Sequence, residues 1–326
     1  MIRVGLIGRG MAGTVFHAPL IRAVPEFELA AIAGSAEAAA LIADPAIDVV
    51  VIATPNRSHY PLAETALRAG KHVVVDKPLT VTSAEAVGLI ALAAEQKRML
   101  TVFQNRRWDG DYLTVKDAVR SGRLGEIALF EAHWDRFRPA IKPGWRETPA
   151  EGAGLFFDLG AHLIDQALQL FGTPEALTAD IGAQRSDAEV DDYFRLTLHY
   201  GRLRVNLSAA TLIAAPRPRF AVYGTGGALV KYGLDPQEAA LKAGIDPRSP
   251  GFGEEGPDLY ATFTGADGAE ERIPAQPGRY VAFYEQVAAA LCDGSPVPVE
   301  PADARAALRI IELARESARE RRRIAI

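Results

Sequence analysis

Short β-branched and apolar runs alternate with amphipathic stretches through the first third of the chain. Strands are expected over 4–7, 28–33, 48–53, 73–75 and 100–103. Helical periodicity fills the gaps over 14–24 (interrupted by Pro19), 36–43, 62–69 and 83–96. Ser35 is in position to cap the second helix, Asp44-Pro45 breaks it, and Gly70 ends the third. Strands alternating with helices predict a parallel, doubly wound sheet.

After Gly125 the rhythm becomes a period of two. Over 127–137, Ala128, Phe130, Ala132 and Trp134 share one face, with Glu131, His133 and Asp135 on the other. Over 193–200, Phe194, Leu196, Leu198 and Tyr200 form the apolar side. Further strands are expected over 203–211, 219–223, 228–232 and 259–263. Such runs predict a large, mostly antiparallel sheet covered on one face. The uncovered face would suit a second copy, so a homodimer or homotetramer is expected. A loop over 296–301 precedes a helix over 302–322, whose stripe of Ala307, Ile310, Ile311, Ala314 and Ala318 should pack back on the first domain. The expected domains are 1–120 with 302–326, and 121–301.

A length of 326 residues and 48% hydrophobic content allow two real cores. A net charge of −5 and a pI near 5.8 argue against nucleic-acid and anionic-membrane partners. The basic run from Arg319 to Arg323 reads instead as cations opposing a helix macrodipole. Cys292 is the only cysteine, which excludes an intramolecular disulfide and a cysteine metal cluster. The N-terminus enters a strand pattern at once, and no apolar stretch is long enough to span a bilayer. A cytoplasmic protein is expected.

Candidate chemistry begins with Gly8-Arg9-Gly10-Met11-Ala12-Gly13, between a strand and a helix. This is a dinucleotide fingerprint in context: a tight turn, close backbone approach to a pyrophosphate, and close helix–strand contact. The acid expected to bind the ribose 2′-hydroxyl of NAD is missing, because the position reads Gly34-Ser35. A neutral Ser35 tolerates a 2′-phosphate, and Arg9 or Arg57 would supply countercharge. NADP is therefore the expected cofactor, with NAD as the alternative if Glu37 reaches back. Three consecutive strand ends carry polar clusters: Thr54-Pro55-Asn56 with His59, Asp76-Lys77-Pro78, and Gln104-Asn105-Arg106-Arg107. A lysine where a buried strand meets its loop points to chemistry.

A helix over 157–166 sets Asp158, His162 and Asp165 on one face, with Leu163, Ala167, Leu170 and Phe171 on another. Histidine is the usual general base at neutral pH, and a carboxylate one turn away would orient it. A merely polar helix face opened by Asp158 is the other reading. No His/Cys cluster completes a metal site.

Taken in order, these segments resemble the glucose-fructose oxidoreductase / inositol dehydrogenase / MocA (Gfo/Idh/MocA) family along nearly the whole chain. They are Gly8 to Gly13, Ala53-Thr54-Pro55-Asn56-Arg57-Ser58-His59, Asp76-Lys77-Pro78, Asn105-Arg106-Arg107-Trp108-Asp109 and Asp158-x-Gly160-x-His162-x-x-Asp165. The resemblance implies an N-terminal Rossmann domain, a C-terminal α+β domain on a large open sheet, and NAD(P)-linked oxidation or reduction of a sugar, inositol or related polyol. By the same resemblance Lys77 bonds the reacting oxygen, His162 takes the hydroxyl proton and Asp158 is its acidic neighbour. Asn56, His59, Asp76, Pro78 and Asn105 fall on the cofactor side. Arg107, Trp145 and Arg146 line the substrate cleft. Relatives that oxidise transiently as glycosidases, or that only bind nucleotide and sugar as regulators, are the alternatives. Two departures stand out: Asp76 replaces the family's Glu, and the segment between Ser35 and Asp48 is short.

Overall fold

The computed structural model describes residues 1–142 and 144–326. The chain divides into two compact units. One comprises Met1–Trp108, Pro236–Gly253 and Arg279–Leu308; the other comprises Asp109–Asp235, Glu254–Gly278 and Arg309–Ile326. The first unit thus takes in two segments that the expected boundaries assign to the second domain.

In the first unit, strands β1 (Ile2–Ile7), β2 (Phe27–Ala33), β3 (Val49–Ile52), β4 (His72–Asp76) and β5 (Leu100–Phe103) form one parallel sheet, ordered β2-β1-β3-β4-β5. The valines, leucines and isoleucines at the centres of β1, β3 and β4 are buried, as a parallel sheet covered by helices requires, whereas the central residues of the edge strand β2 are only partly buried. The connections are α1 (a wide first turn, Ala12–His17, continuing as Ala18–Arg22), α2 (Ala38–Ala43), α3 (His59–Arg68) and α4 (Ser83–Gln96). At the start of α4, Thr82 Oγ1 accepts from the Glu85 N–H at 3.2 Å, and Glu85 Oε2 accepts from the Thr82 N–H at 3.2 Å. This reciprocal cap explains why that boundary was readable. An aromatic cluster of Phe103, Phe283, Tyr284 and His17 fills the core, with Phe103 4.4 Å from the His17 ring and 4.9 Å from the Phe283 ring.

The usual dinucleotide sheet has a further strand outside the second one. Here β2 is the edge. The short segment after β2 holds only a tight turn, Ser35–Glu37, and α2, leaving no residues for the extra strand. Ser35 is not the cap of that helix. It lies inside the turn, and the Glu37 carboxylate instead accepts from the Gly34 N–H at 2.6 Å.

The second unit is built on nine strands: β6 (Ile127–His133), β7 (Ala176–Gly182), β8 (Tyr193–Tyr200), β9 (Leu203–Ala210), β10 (Phe220–Gly224), β11 (Gly227–Lys231), β12 (Ala261–Gly265), β13 (Glu270–Ile273) and β14 (Ile324–Ala325). Their order is β13-β12-β11-β10-β6-β9-β8-β7-β14. Only the β6–β9 pair is parallel; the others are antiparallel. Phe130, Ala132, Leu196, Leu198, Val205 and Leu207 are buried on one face. The first strand stops at His133, short of the expected 137; Phe137 keeps only an isolated bridge to Leu212, and Ala128 is exposed. β7 carries Thr178, Ala179 and Asp180, too polar and small for an alternation signal. The expected helix over 302–322 spans Pro301–Glu320, with residues to Leu308 in the first unit and the rest in the second. Among the described residues, no helix is long and apolar enough to cross a membrane.

Candidate functional site

The loop after β1 has the geometry its three glycines suggest. Gly8 has φ +134°, and a Cβ there would lie 2.2 Å from the Ala53 carbonyl oxygen. A Cβ on Gly13 would lie 2.0 Å from the Gly8 carbonyl oxygen, so helix α1 starts hard against the strand. A Cβ on Gly10 would meet nothing within 4 Å. That open backbone is where a pyrophosphate has room, so the loop fits a dinucleotide. Met11 beside it is 51% exposed.

The sheet order makes β3, β4 and β5 neighbours, so their carboxyl ends lie side by side. Asn56, Lys77 and Asn105 follow those three ends within the first unit. Asn56 and Asn105 are buried and Lys77 is half-buried. Thr54 Oγ1 accepts from Ser58 Oγ at 2.7 Å, which shapes the Thr54-Pro55-Asn56 turn. The Lys77 N–H donates to Asp76 Oδ1 at 2.8 Å, and the Lys77–Pro78 peptide is cis. Arg107 forms an ion pair with Asp303 at 3.0 Å. Arg106 is bound by Glu238 and the Tyr280 hydroxyl.

Two histidines behind Lys77 were not expected to act together. His17 and His59 are fully buried. His17 Nδ1 shares a 2.6 Å hydrogen bond with the Tyr284 hydroxyl, and its Nε2 stands 3.8 Å from Asp76 Oδ1. His59 Nδ1 lies 2.7 Å from the Pro78 carbonyl oxygen and Nε2 lies 2.9 Å from that of Thr54. His59 therefore bridges the ends of β3 and β4; both ring nitrogens are occupied by the backbone. Burial pushes the Asp76 carboxyl up, but His17, then His59 and Lys77, outweigh it and hold it below the ordinary range. Burial pushes the His59 imidazole down, against Asp76 and the two carbonyls, which push it up; the net shift is downward. A neutral ring donates to only one of those carbonyls at a time.

This shift carries a pH prediction. A histidine with a lowered folded pKa is protonated more readily in the unfolded chain, so stability is lost as pH falls below about 6.5 and until the folded value is reached. His72 and His133 are lowered by burial in the same sense. Thermal unfolding should move to lower temperature from about pH 7 to about pH 5, and His59→Gln should flatten the slope. An unchanged slope in the variant would remove His59 from that role.

In the second unit, a wide turn, Phe156–Gly160, runs into the helix Ala161–Phe171. All seven residues from Ala161 to Ala167 are buried, so the two-faced helix of the sequence reading is corrected: Asp165 and Gln166 lie in the interior along with Leu163 and Ala167. Asp158 sits in the wide turn, where Arg146 Nε pairs with it at 3.2 Å and Arg136 Nη1 at 3.9 Å. The Arg146 guanidinium stacks 4.4 Å over the Trp145 ring. Trp145, Arg146 and Asp158 are thus brought together, and with Arg136, Glu147 and Arg185 they line a cavity of about 210 Å³. His162 is 5% exposed and its ring lies 5.7 Å from that of Trp134. Arg219, itself buried, stacks 4.7 Å over Trp134, donates to Gln166 Oε1 at 3.2 Å and pairs with Asp111 at 3.3 Å. The sequence reading missed Trp134, Gln166, Arg219 and Asp111 as supports of the histidine. For Arg219 and Asp111 the one signal was charge placed in otherwise apolar surroundings.

The end of β2 also differs from the sequence reading. Glu37 does reach back: besides the Gly34 N–H it binds Arg9 Nη2 at 3.1 Å. A carboxylate, rather than the neutral Ser35 alone, occupies the end of the strand.

Known proteins match the chain over almost its full length. A family model described as the oxidoreductase family, C-terminal alpha/beta domain, matches residues 116–326, and one described as the oxidoreductase family, NAD-binding Rossmann fold, matches residues 35–104. The oxidoreductase YdgJ of Escherichia coli is 45% identical, covering 98% of this chain and 97% of that protein. The scyllo-inositol 2-dehydrogenase (NADP(+)) IolW of Bacillus subtilis is 38% identical, covering 99% and 95%. The solved structure of the oxidoreductase YvaA from Bacillus subtilis has a TM-score of 0.96 at 38% identity, covering 100% of this chain and 98% of that one. The chain belongs to the Gfo/Idh/MocA oxidoreductase family and is an NAD(P)-dependent enzyme acting on CH–OH groups.

Proposed function

We propose that the protein transfers a hydride between nicotinamide and a secondary alcohol or ketone of a sugar, inositol or related polyol. The observation that carries the reading is Lys77 at the middle of three adjacent strand ends, in a sheet whose first strand ends in a glycine loop open over Gly10. The relatives add support: one is a scyllo-inositol 2-dehydrogenase, and a D-glucoside 3-dehydrogenase of Escherichia coli is 28% identical over 59% of this chain.

In this reading the loop Gly8 to Gly13 holds the pyrophosphate, and Thr54, Pro55, Asn56 and Asn105 border the nicotinamide side. When bound, the nicotinamide supplies the hydride acceptor or donor. His162 takes the proton from the substrate hydroxyl, backed by Trp134, while Asp158 with Arg146 and Trp145 orients the sugar ring. Lys77 donates to the reacting oxygen and stabilises its developing charge. Arg107, paired with Asp303 at 3.0 Å, lines the substrate cleft at the third strand end in this reading. Reduction uses the same groups in reverse.

The neutral Gly34-Ser35 pair and the name of the IolW relative favour NADP; the Glu37 carboxylate at the same strand end favours NAD. The function is tested by following nicotinamide absorbance with both cofactors against inositols, aldoses and ketoses. Turnover of at least one polyol is expected. Tight cofactor binding with no turnover across the panel would favour a regulatory protein instead.

A further inference from the structure

We infer that Glu37 selects the cofactor, accepting hydrogen bonds from the ribose 2′,3′-diol of NAD(H) and repelling the 2′-phosphate of NADP(H). The inference rests on the nucleotide-binding reading above and adds its specificity.

In a dinucleotide sheet the ribose next to adenine is read at the carboxyl end of the second strand, usually by an acid on that strand. Here β2 ends at Ala33 without one, and no further strand lies outside it. The shortened connection turns at once: the Glu37 N–H donates to the Gly34 carbonyl at 3.2 Å, and the Glu37 side chain folds back over the turn. Oε2 accepts from the Gly34 N–H at 2.6 Å, and Oε1 accepts from Arg9 Nη2 at 3.1 Å. The short connection therefore leaves no outer strand and also brings a carboxylate to the end of β2. A Cβ on Gly34 would stand 3.1 Å from Oε2, so any larger residue there would have to push the carboxylate aside by a few tenths of an ångström.

Charge decides which ribose fits. Glu37 and Arg9 are 52% and 59% exposed at their side chains, so both are open to a ligand. Arg9 also lies 3.4 Å from the Ile32 carbonyl oxygen and has its charge already matched by Glu37. Two hydroxyls add donors to the carboxylate without adding charge. A phosphate adds about −1.5 to −2 next to a carboxylate and has to take Arg9 from it. Because the site is exposed, water screens the repulsion, and the discrimination should be on the order of ten-fold rather than a thousand-fold.

The test is direct binding on the full chain, by nicotinamide fluorescence at low salt, of NADH and NADPH to the wild type, Glu37→Gln and Arg9→Gln. The wild type should bind NADH about ten-fold more tightly. Glu37→Gln, which keeps the turn's hydrogen bond without the charge, should lose that preference by gaining NADPH affinity. Tighter NADPH binding by the wild type, abolished in Arg9→Gln, would overturn the inference and make Arg9 the phosphate clamp. So would an unchanged ratio in Glu37→Gln. Binding of neither nucleotide would overturn the nucleotide-binding reading itself, and the inference with it.

Discussion

Lys77→Ala is expected to lower kcat by about 10²–10³-fold, the usual cost of removing one preorganised donor to a developing oxyanion. The backbone at this position is fixed independently of the side chain. Its N–H is bound to Asp76, Asp76 is held by His17, and the following Pro78 carbonyl is bridged by His59. Truncation should therefore remove the ammonium without moving the strand end, and nucleotide affinity should change little. The loss should appear in kcat and kcat/KM alike, as for an interaction made in the transition state. Turnover within a few-fold of wild type would take Lys77 out of the chemistry.

His162→Ala is expected to cost about 10²–10⁴-fold in kcat, the range for a positioned general base. Its ring is buried against Trp134, with Arg219 on the indole. Alanine leaves a cavity shaped for an imidazole, so added imidazole should restore part of the activity. Rescue separates a proton-transfer role from a packing role, because a structural defect would not respond to a base. Loss without rescue, accompanied by a lowered melting temperature, would assign His162 to the core.

Much of this was legible because the signals were local. β-branched and apolar runs placed β1 to β5, and helical periodicity over 83–96 placed α4. The glycine loop and Lys77 were found because a rigid motif and a misplaced charge announce themselves in sequence. What was missed depends on contacts distant along the chain. His17 meets Tyr284 and Asp76, and Arg219 meets Asp111 and Gln166; no periodicity links such residues. His59 was placed on the cofactor side by its loop, whereas its position between the Pro78 and Thr54 carbonyl oxygens required coordinates. Ser35 looked like a helix cap because its residue type suits one, but the shortened connection gave that role to a turn closed by Glu37. The edge position of β2 was implied by chain length alone, whereas the returning carboxylate required coordinates.

The reaction itself is tested most directly by isotope transfer. With deuterium on the carbinol carbon of a polyol that the enzyme turns over, the label should appear on the nicotinamide of the reduced cofactor, with a primary isotope effect when hydride transfer limits the rate. Product formed with the label still on the sugar carbon and no net reduction of the cofactor would contradict a dehydrogenase.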